Sequence, residues 1–326
     1  MIITRTPFRM SFVGGGSDLP SFYRHQTGAV ISTAIDKYVY VNVNKKFDNG
    51  IRVAYSKNEE VASVDQIEHP LVRAAMTILG LRGGVEITTI ADIPSKGTGL
   101  GSSSSFVVGL IHALNAFKGK FSSSEQLSVD SCMVEIAICK EPIGKQDQYA
   151  ASYGGFNLIE FHPDESVVVS PIIFKPSLLK VLEHNILLFY TGITRSASSI
   201  LRQQVKEIPL NKSKYQTLKK MVQLAYSLRD EIHKNNIDVF GEILHEGWML
   251  KKSITSGIST SDIDYWYNLA RGLGAKGGKI LGAGAGGFLM LYAPPDKHEQ
   301  IKRGLNGLRH VPVGFEPFGS KVIFYH

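Results

Sequence analysis

Residues 94–106 read Pro-Ser-Lys-Gly-Thr-Gly-Leu-Gly-Ser-Ser-Ser-Ser-Phe, or PSKGTGLGSSSSF. By composition alone, four serines behind three spaced glycines form a flexible linker. The flanks argue against that. A β-prone run, VEITTIADIP, precedes the stretch, and an apolar segment, FVVGLIHALNAF, follows at once with Phe106, Leu110, Ala113, Leu114 and Phe117 at helical spacing. A strand–turn–helix is expected. Gly97, Gly99 and Gly101 permit positive φ and remove side chains that would bar close approach. The serines then fall in the first helical turn, where unpaired N–H groups and the positive dipole end make an anion site. Their hydroxyls add donors, and one can be a hard oxygen ligand to Mg²⁺. The stretch lacks the Gly-Lys-Ser/Thr ending of a Walker loop, and its glycine spacing departs from the dinucleotide fingerprint. A phosphate cradle and an ordinary serine-capped turn both remain open on this piece alone.

Two more glycine-rich turns flank it in sequence. PFRMSFVGGGSD (7–18) is a strand ending in three glycines, followed by Ser17 and Asp18. Arg9 there can hold phosphate oxygens bidentately, and Asp18 can accept hydrogen bonds from sugar hydroxyls. KILGAGAGGF (279–288) formally satisfies Gly-x-Gly-x-x-Gly, but a strand, FLMLYA, follows it where a dinucleotide site needs a helix. What remains is a backbone able to approach another loop or a ligand closely.

The chain has 326 residues, 43% of them hydrophobic, which supplies a core for one large domain or two ordinary ones. Its formal charge of +7 is spread out, and the densest patch, Lys206 to Lys220, reads as a solvated helix face. Nucleic acid is therefore not an expected partner, whereas a phosphorylated substrate fits. Two cysteines, Cys132 and Cys139, sit seven apart in an expected helix and read as buried thiols in a reducing cytoplasm. MIITRTPFRM has no signal-peptide core, and no apolar run reaches the roughly 18 residues of a membrane span, so no membrane partner is expected. Strands are expected at Ile2–Thr6, Arg9–Val13, Tyr38–Val43, Ile51–Tyr55, Val85–Ala91, Asn157–Phe161, Val167–Ile173 and Ile186–Tyr190. Ser122 to Glu125 reads as a capping box opening a helix through Ile138. Helices dominate beyond Thr191, then strands return, which makes an α+β architecture with a boundary near residues 176–185.

Together the three turns resemble the GHMP kinase superfamily, named for galactokinase, homoserine kinase, mevalonate kinase and phosphomevalonate kinase. Pro7–Asp18 matches its first motif and Gly282–Gly287 its third. Pro94 with Gly99-Leu100-Gly101-Ser102-Ser103 matches the second, with one extra residue in the spacer. The resemblance implies an α+β fold in two domains. Residues 1–180 would be ribosomal protein S5 domain 2-like, with a left-handed βαβ crossover, and residues 181–326 ferredoxin-like. ATP would lie between them on Lys96, Gly97, Gly99, Leu100, Gly101, Ser102, Ser103 and Ser104. Asp147, in Gly144-Lys145-Gln146-Asp147-Gln148, is similar to the proposed base of the galactokinase branch. Glu135, twelve residues earlier, would ligate Mg²⁺ with Ser102 or Ser103; its apolar neighbours Val134, Ile136, Ala137 and Ile138 suit a buried, paired acid. Arg9 would neutralise the γ-phosphate or orient Asp147.

Within the superfamily the stretches FVGGGSDLP (12–20), GKQDQY (144–149) and YTGITR (190–195) resemble the sugar-1-kinases acting on heptose phosphates and fucose. Galactokinases typically carry Gly-Glu-His-x-Asp in the first motif, from which this chain departs. Gly16, Ser17, Asp18, Gly144, Arg195 and Gly284 would contact the sugar. Lys145, beside the base, suits an anionic substrate. The implied reaction is phosphorylation of the anomeric hydroxyl of D-glycero-D-manno-heptose 7-phosphate, for nucleotide-activated heptose synthesis. L-Fucose is the rival substrate, and a non-catalytic sugar and ATP sensor is the rival of another class. A homodimer is compatible with either.

Overall fold

The computed structural model describes residues 1–94, 97–194, 197–208 and 211–326. Its first part runs β1 (Ile2–Val13), α1 (Pro20–Tyr23), β2 (Gly28–Lys45), β3 (Ile51–Ala54), β4 (Asn58–Val61), α2 (Pro70–Ile78), β5 (Val85–Ala91), α3 (Ser102–Phe117), α4 (Ser124–Cys132), α5 (Gln146–Tyr153), β6 (Phe156–Phe161) and β7 (Val167–Pro171). The second part runs α6 (Pro176–His184), β8 (Ile186–Tyr190), α7 (Ala197–Glu207), α8 (Lys212–His233), α9 (Phe240–Ile254), α10 (Ser261–Gly272), β9 (Gly277–Ile280), β10 (Phe288–Tyr292), α11 (His298–Gly304), β11 (Arg309–His310) and β12 (Lys321–Tyr325).

The larger sheet is ordered β12-β1-β2-β5-β3-β4, with β6 and then β7 attached to β2; only β3 and β5 pair in parallel. β2 carries both wings. Residues 28–33 pair with β6 and residues 39–45 with β5, and its register against β1 shifts between Pro7 and Phe8. The second half of β2 alternates, burying Val39, Val41 and Val43, as period-2 packing on one face requires. The first half, Gly28–Ile35, is buried on both faces and shows no such alternation. α3 crosses this sheet closely. A Cβ at Gly109 would lie 2.7 Å from Thr6 Oγ1, and Thr4 Oγ1 donates to Gly109 O at 2.9 Å.

The smaller sheet is ordered β11-β8-β10-β9 and wholly antiparallel, the ferredoxin-like arrangement that the motifs imply. Residues 176–185, where the boundary is expected, are mostly helix α6, with Leu182 buried. The chain then re-enters the larger sheet, because β12 pairs with β1. Between the two parts the side chain of Phe12 stacks on Phe156 at 5.2 Å and meets Phe240 of α9 edge-on at 5.2 Å. Such pairs contribute about 0.5–1.5 kcal/mol beyond their burial.

The helix expected from Ser122 to Ile138 departs from its local pattern at both ends. The cap of α4 is Ser123, which accepts from Gln126 N, while Glu125 accepts from the hydroxyls of Tyr149 and Tyr153 and closes no capping box. Beyond Cys132 the helix widens into π-type turns over Met133–Ile138, where Cys139 N donates to Val134 O. Such widening is frequent at functional sites.

The last stretch is stitched to the larger sheet by backbone. Asp36 N donates to Gly314 O, Glu316 N to Ala34 O and Gly155 N to Glu316 O. Gly154 makes the fit possible: its φ is +67°, and a Cβ there would lie 1.9 Å from Phe318 C. Gly154→Ala is expected to cost about 2 kcal/mol or more through strain and displacement of the 315–320 segment. Chemical denaturation followed by far-ultraviolet circular dichroism measures this, and an unchanged midpoint would contradict it.

Candidate active site

A cleft of about 560 Å³ opens where the turn at residues 97–101 meets those at 14–18 and 282–283. Arg9 organises its floor. From β1 its backbone N–H donates to Leu100 O at 3.1 Å. Its guanidinium grips Asp147 through Nε to Oδ1 and Nη2 to Oδ2, both 2.8 Å, while Nη1 donates to Gly99 O at 2.6 Å. This fork-on-fork geometry is the strongest form of a charged hydrogen-bonded pair. The Arg9 side chain is 3% exposed and that of Asp147 23%, so the carboxylate is the partner that meets the cleft. Asp147 lies in the first turn of α5, where the helix dipole favours a carboxylate. Gly101 allows the close approach: with φ +74°, an added Cβ would come 3.3 Å from Arg9 Cγ and 3.4 Å from Asp147 Oδ2.

The same glycine precedes the first residue of α3, and no side chain caps that helix. Its first amides therefore face the cleft without intrahelical acceptors. The four serines divide their work. Ser102 Oγ and Thr98 Oγ1 are 2.8 Å apart, Ser103 Oγ donates to Glu135 Oε1 at 2.7 Å, and Ser105 Oγ donates to Pro7 O at 2.8 Å. Ser104 lines the cleft although it is 2% exposed. Glu135 projects from the π-type turns and is wholly buried; its Oε2 accepts from Gln148 Nε2 at 2.6 Å. Burial pushes its carboxyl up to about 7, against the opposing hydrogen bonds of Ser103, Ser104 and Gln148, with the Asp147 charge adding to the rise.

This donor set fits Mg²⁺. It offers a carboxylate and a hydroxyl, both hard oxygens, beside an uncapped helix N-terminus. Among the described residues no cluster of three or more His, Cys, Asp or Glu could hold a metal unaided. A cation here would draw its other ligands from phosphate and water, as Mg²⁺ usually does.

On the other wall Asp18 Oδ1 accepts from Gly16 N at 2.9 Å, and Oδ2 from Gln146 N at 3.4 Å. Burial and then the Asp147 charge raise its carboxyl above the usual range. Gly144 leaves room for it, since a Cβ there would lie 1.9 Å from Asp18 Oδ2. Ser11 Oγ and Gln146 Oε1, from cleft-lining residues, find no hydrogen-bond partner among the described residues.

Other expected residues do not face the cleft. Ser17 Oγ is consumed by Gly14 O at 2.8 Å and Ala29 N at 3.1 Å. The Leu100 side chain is buried in the core. Gly284, with φ +109°, packs on Ile258, and its neighbours Gly282 and Ala283 line the cleft in its place. Lys145 turns away: its Nζ donates to Glu165 Oε2 at 2.6 Å and lies over the Tyr23 ring at 4.7 Å. Although burial alone would raise Glu165, hydrogen bonds from Lys145, Tyr23 and Arg24 bring its carboxyl down to about 2. Lys96 and Arg195 lie outside the described residues. Lys251, which no sequence motif marks, also lines the cleft, from α9.

Residues 69–155 match the family described as GHMP kinases N terminal domain, and residues 228–308 that described as GHMP kinases C terminal. The D-glycero-alpha-D-manno-heptose 7-phosphate kinase of Campylobacter jejuni is 30% identical over 320 residues, covering 93% of each chain. An L-fucokinase/L-fucose-1-P guanylyltransferase of Bacteroides fragilis is 27% identical over 328 residues, covering 89% of this chain and 34% of its own. The crystal structure of a D-glycero-D-manno-heptose 1-phosphate kinase from Bacteroides thetaiotaomicron superposes with a TM-score of 0.81 at 26% identity, over all of both chains. Among the described residues no helix is long and apolar enough to cross a membrane. With both halves of the family matched and its three glycine turns meeting around one cleft, the chain belongs to the GHMP kinases.

Proposed function

We propose that the chain transfers the γ-phosphoryl group of ATP to the anomeric C1 hydroxyl of D-glycero-D-manno-heptose 7-phosphate, giving the 1,7-bisphosphate. One observation carries the chemistry: the Arg9–Asp147 pair and the Ser103–Glu135 pair flank the uncapped N-terminus of α3 in one cleft. The sugar is supported by the relative from Campylobacter jejuni, which matches along nearly its whole length.

In this reading Asp147 accepts the hydroxyl proton as the C1 oxygen attacks. Arg9 fixes the plane of that carboxylate, so its lone pairs need no reorganisation. The turn at Gly97–Gly101 and the first amides of α3 take phosphate oxygens, as helix N-termini do for anions. Glu135 and Ser103 would hold Mg²⁺, which when bound neutralises and aligns the phosphates. Asp18, Ser11 and Gln146 supply polar atoms for the sugar hydroxyls. Lys145 is left to tie α1 and the loop before α5 to Glu165.

Three outcomes are expected. In a coupled assay over sugars and sugar phosphates, turnover should appear with heptose 7-phosphate; L-fucose turned over at comparable efficiency would overturn the substrate assignment. Asp147→Asn keeps the side-chain shape and one acceptor toward Arg9, so it should fold and bind nucleotide within about threefold of wild type. Its kcat should nonetheless fall by about 10²–10⁴, the usual contribution of a positioned base. An active Asn variant would remove Asp147 from that role.

The third outcome concerns pH. The folded chain holds the Glu135 proton more tightly than the unfolded chain, whose carboxyl titrates near 4.5 against about 7 when folded. Metal-free stability should therefore be intact below pH 4.5 and fall as pH rises towards 7, by up to about 3 kcal/mol from this group. Urea unfolding of wild type and Glu135→Gln should give curves that separate with rising pH, the variant losing less. Parallel curves would show that burial does not strain this carboxylate.

A further inference from the structure

Lys251 belongs to α9, in the second half of the chain, yet it lines the cleft and is only 6% exposed. Its Nζ donates to Gly282 O, the one hydrogen bond it makes among the described residues. An ammonium has three protons to give, so two remain. Gly282 is pressed against Gly99, with a hypothetical Cβ 2.5 Å from Gly99 Cα, and Gly99 O accepts from Arg9 Nη1 at 2.6 Å. Two cations, one from each half of the chain, are thus anchored to the carbonyls of two touching glycines.

Their duties differ. The Arg9 guanidinium is spent on Asp147 and Gly99, whereas Lys251 has donors in hand. Burial and then the charge of Arg9 bring the Lys251 ammonium down to about 8, with Asp18 and Asp147 acting the other way, so it stays cationic at neutral pH. A buried cation is costly, by several kcal/mol per ion, and an uncharged donor could anchor one carbonyl. Lys279 offers the contrast: it is also buried and donates to Phe12 O at 3.0 Å, and burial depresses it well below the usual range, but it does not line the cleft.

We propose that Lys251 is a further catalytic residue, its ammonium holding an oxygen of the transferring phosphoryl group while Arg9 is committed to Asp147. The lysine keeps its proton throughout. The bond from the C1 oxygen to phosphorus forms, the bond from phosphorus to the ADP oxygen breaks, and the hydroxyl proton passes to Asp147. Charge spreading over the phosphoryl oxygens is what a pre-placed cation stabilises. The inference rests on the proposed phosphoryl transfer at Asp147 and is independent of which sugar is used.

Lys251→Met removes the charge at similar volume, and such replacements of buried ions are often neutral or stabilising, which a thermal melt checks. Lys251→Gln keeps a donor for Gly282 O without the charge. Both are expected to lower kcat by about 10²-fold or more, with KM for the sugar within about threefold. Calorimetry without sugar should show affinity for the β,γ-imido analogue of ATP reduced at least about tenfold and affinity for ADP unchanged. Wild-type kcat in Lys251→Gln would make the lysine a mere anchor and overturn the proposal. Equal nucleotide affinities, or an effect confined to the sugar KM, would overturn it too. Failure of the heptose assignment shows instead as wild type that does not turn over that sugar, and it leaves the nucleotide arm intact.

Discussion

Two glycine backbones in contact hold this structure's working parts together. A Cβ on Gly99 would stand 2.3 Å from Leu281 O, and one on Gly282 2.5 Å from Gly99 Cα. No side chain fits on either side, so the second and third glycine turns can touch only as bare backbone. That contact joins the two turns where they line the cleft. It also aims two carbonyls, Gly99 O and Gly282 O, at the guanidinium of Arg9 and the ammonium of Lys251. The aromatic cluster around Phe12 ties β1 to α9 of the second part as well, with apolar area in place of hydrogen bonds.

Around that junction the site concentrates charges that water would otherwise solvate. Arg9, Asp18, Glu135 and Lys251 are all nearly inaccessible. Each is kept in place by specific hydrogen bonds, and the shifts of Asp18, Glu135 and Lys251 record burial as the dominant cost. Energy held in this way is characteristic of sites that must meet further charge, the part that the proposed function gives to phosphates and a cation.

Much of this was legible in the residues. The Gly/Ser stretch between a strand and an apolar helix gives the strand–turn–helix that is found, with no side-chain cap on α3, and the apolar neighbours of Glu135 foretell a buried acid. Local pattern fails where tertiary context decides. The half of β2 at Gly28–Ile35 is buried on both faces, so it lacks the alternation that exposes Tyr38–Val43 as a strand. The Ser122 capping box loses Glu125 to two tyrosine hydroxyls from α5. Lys145 lies two residues from Asp147 in sequence, but Glu165, on the turn between β6 and β7, claims it across 20 residues. Lys251 is the converse. It sits in an amphipathic helix like many surface lysines, and only the packing of α9 on β9 brings it to the cleft.

The return of β12 to β1 has a consequence for how the chain is made. β1 is synthesised well before β12 and pairs with β2 along most of its length, but its other edge lacks that partner until residues 321–325 emerge. During translation the nascent sheet therefore carries an exposed edge, the feature that invites pairing with other chains. The stitches at Gly314 and Glu316 come equally late. The larger sheet thus gains its β12 edge only after every strand of the smaller sheet has been made.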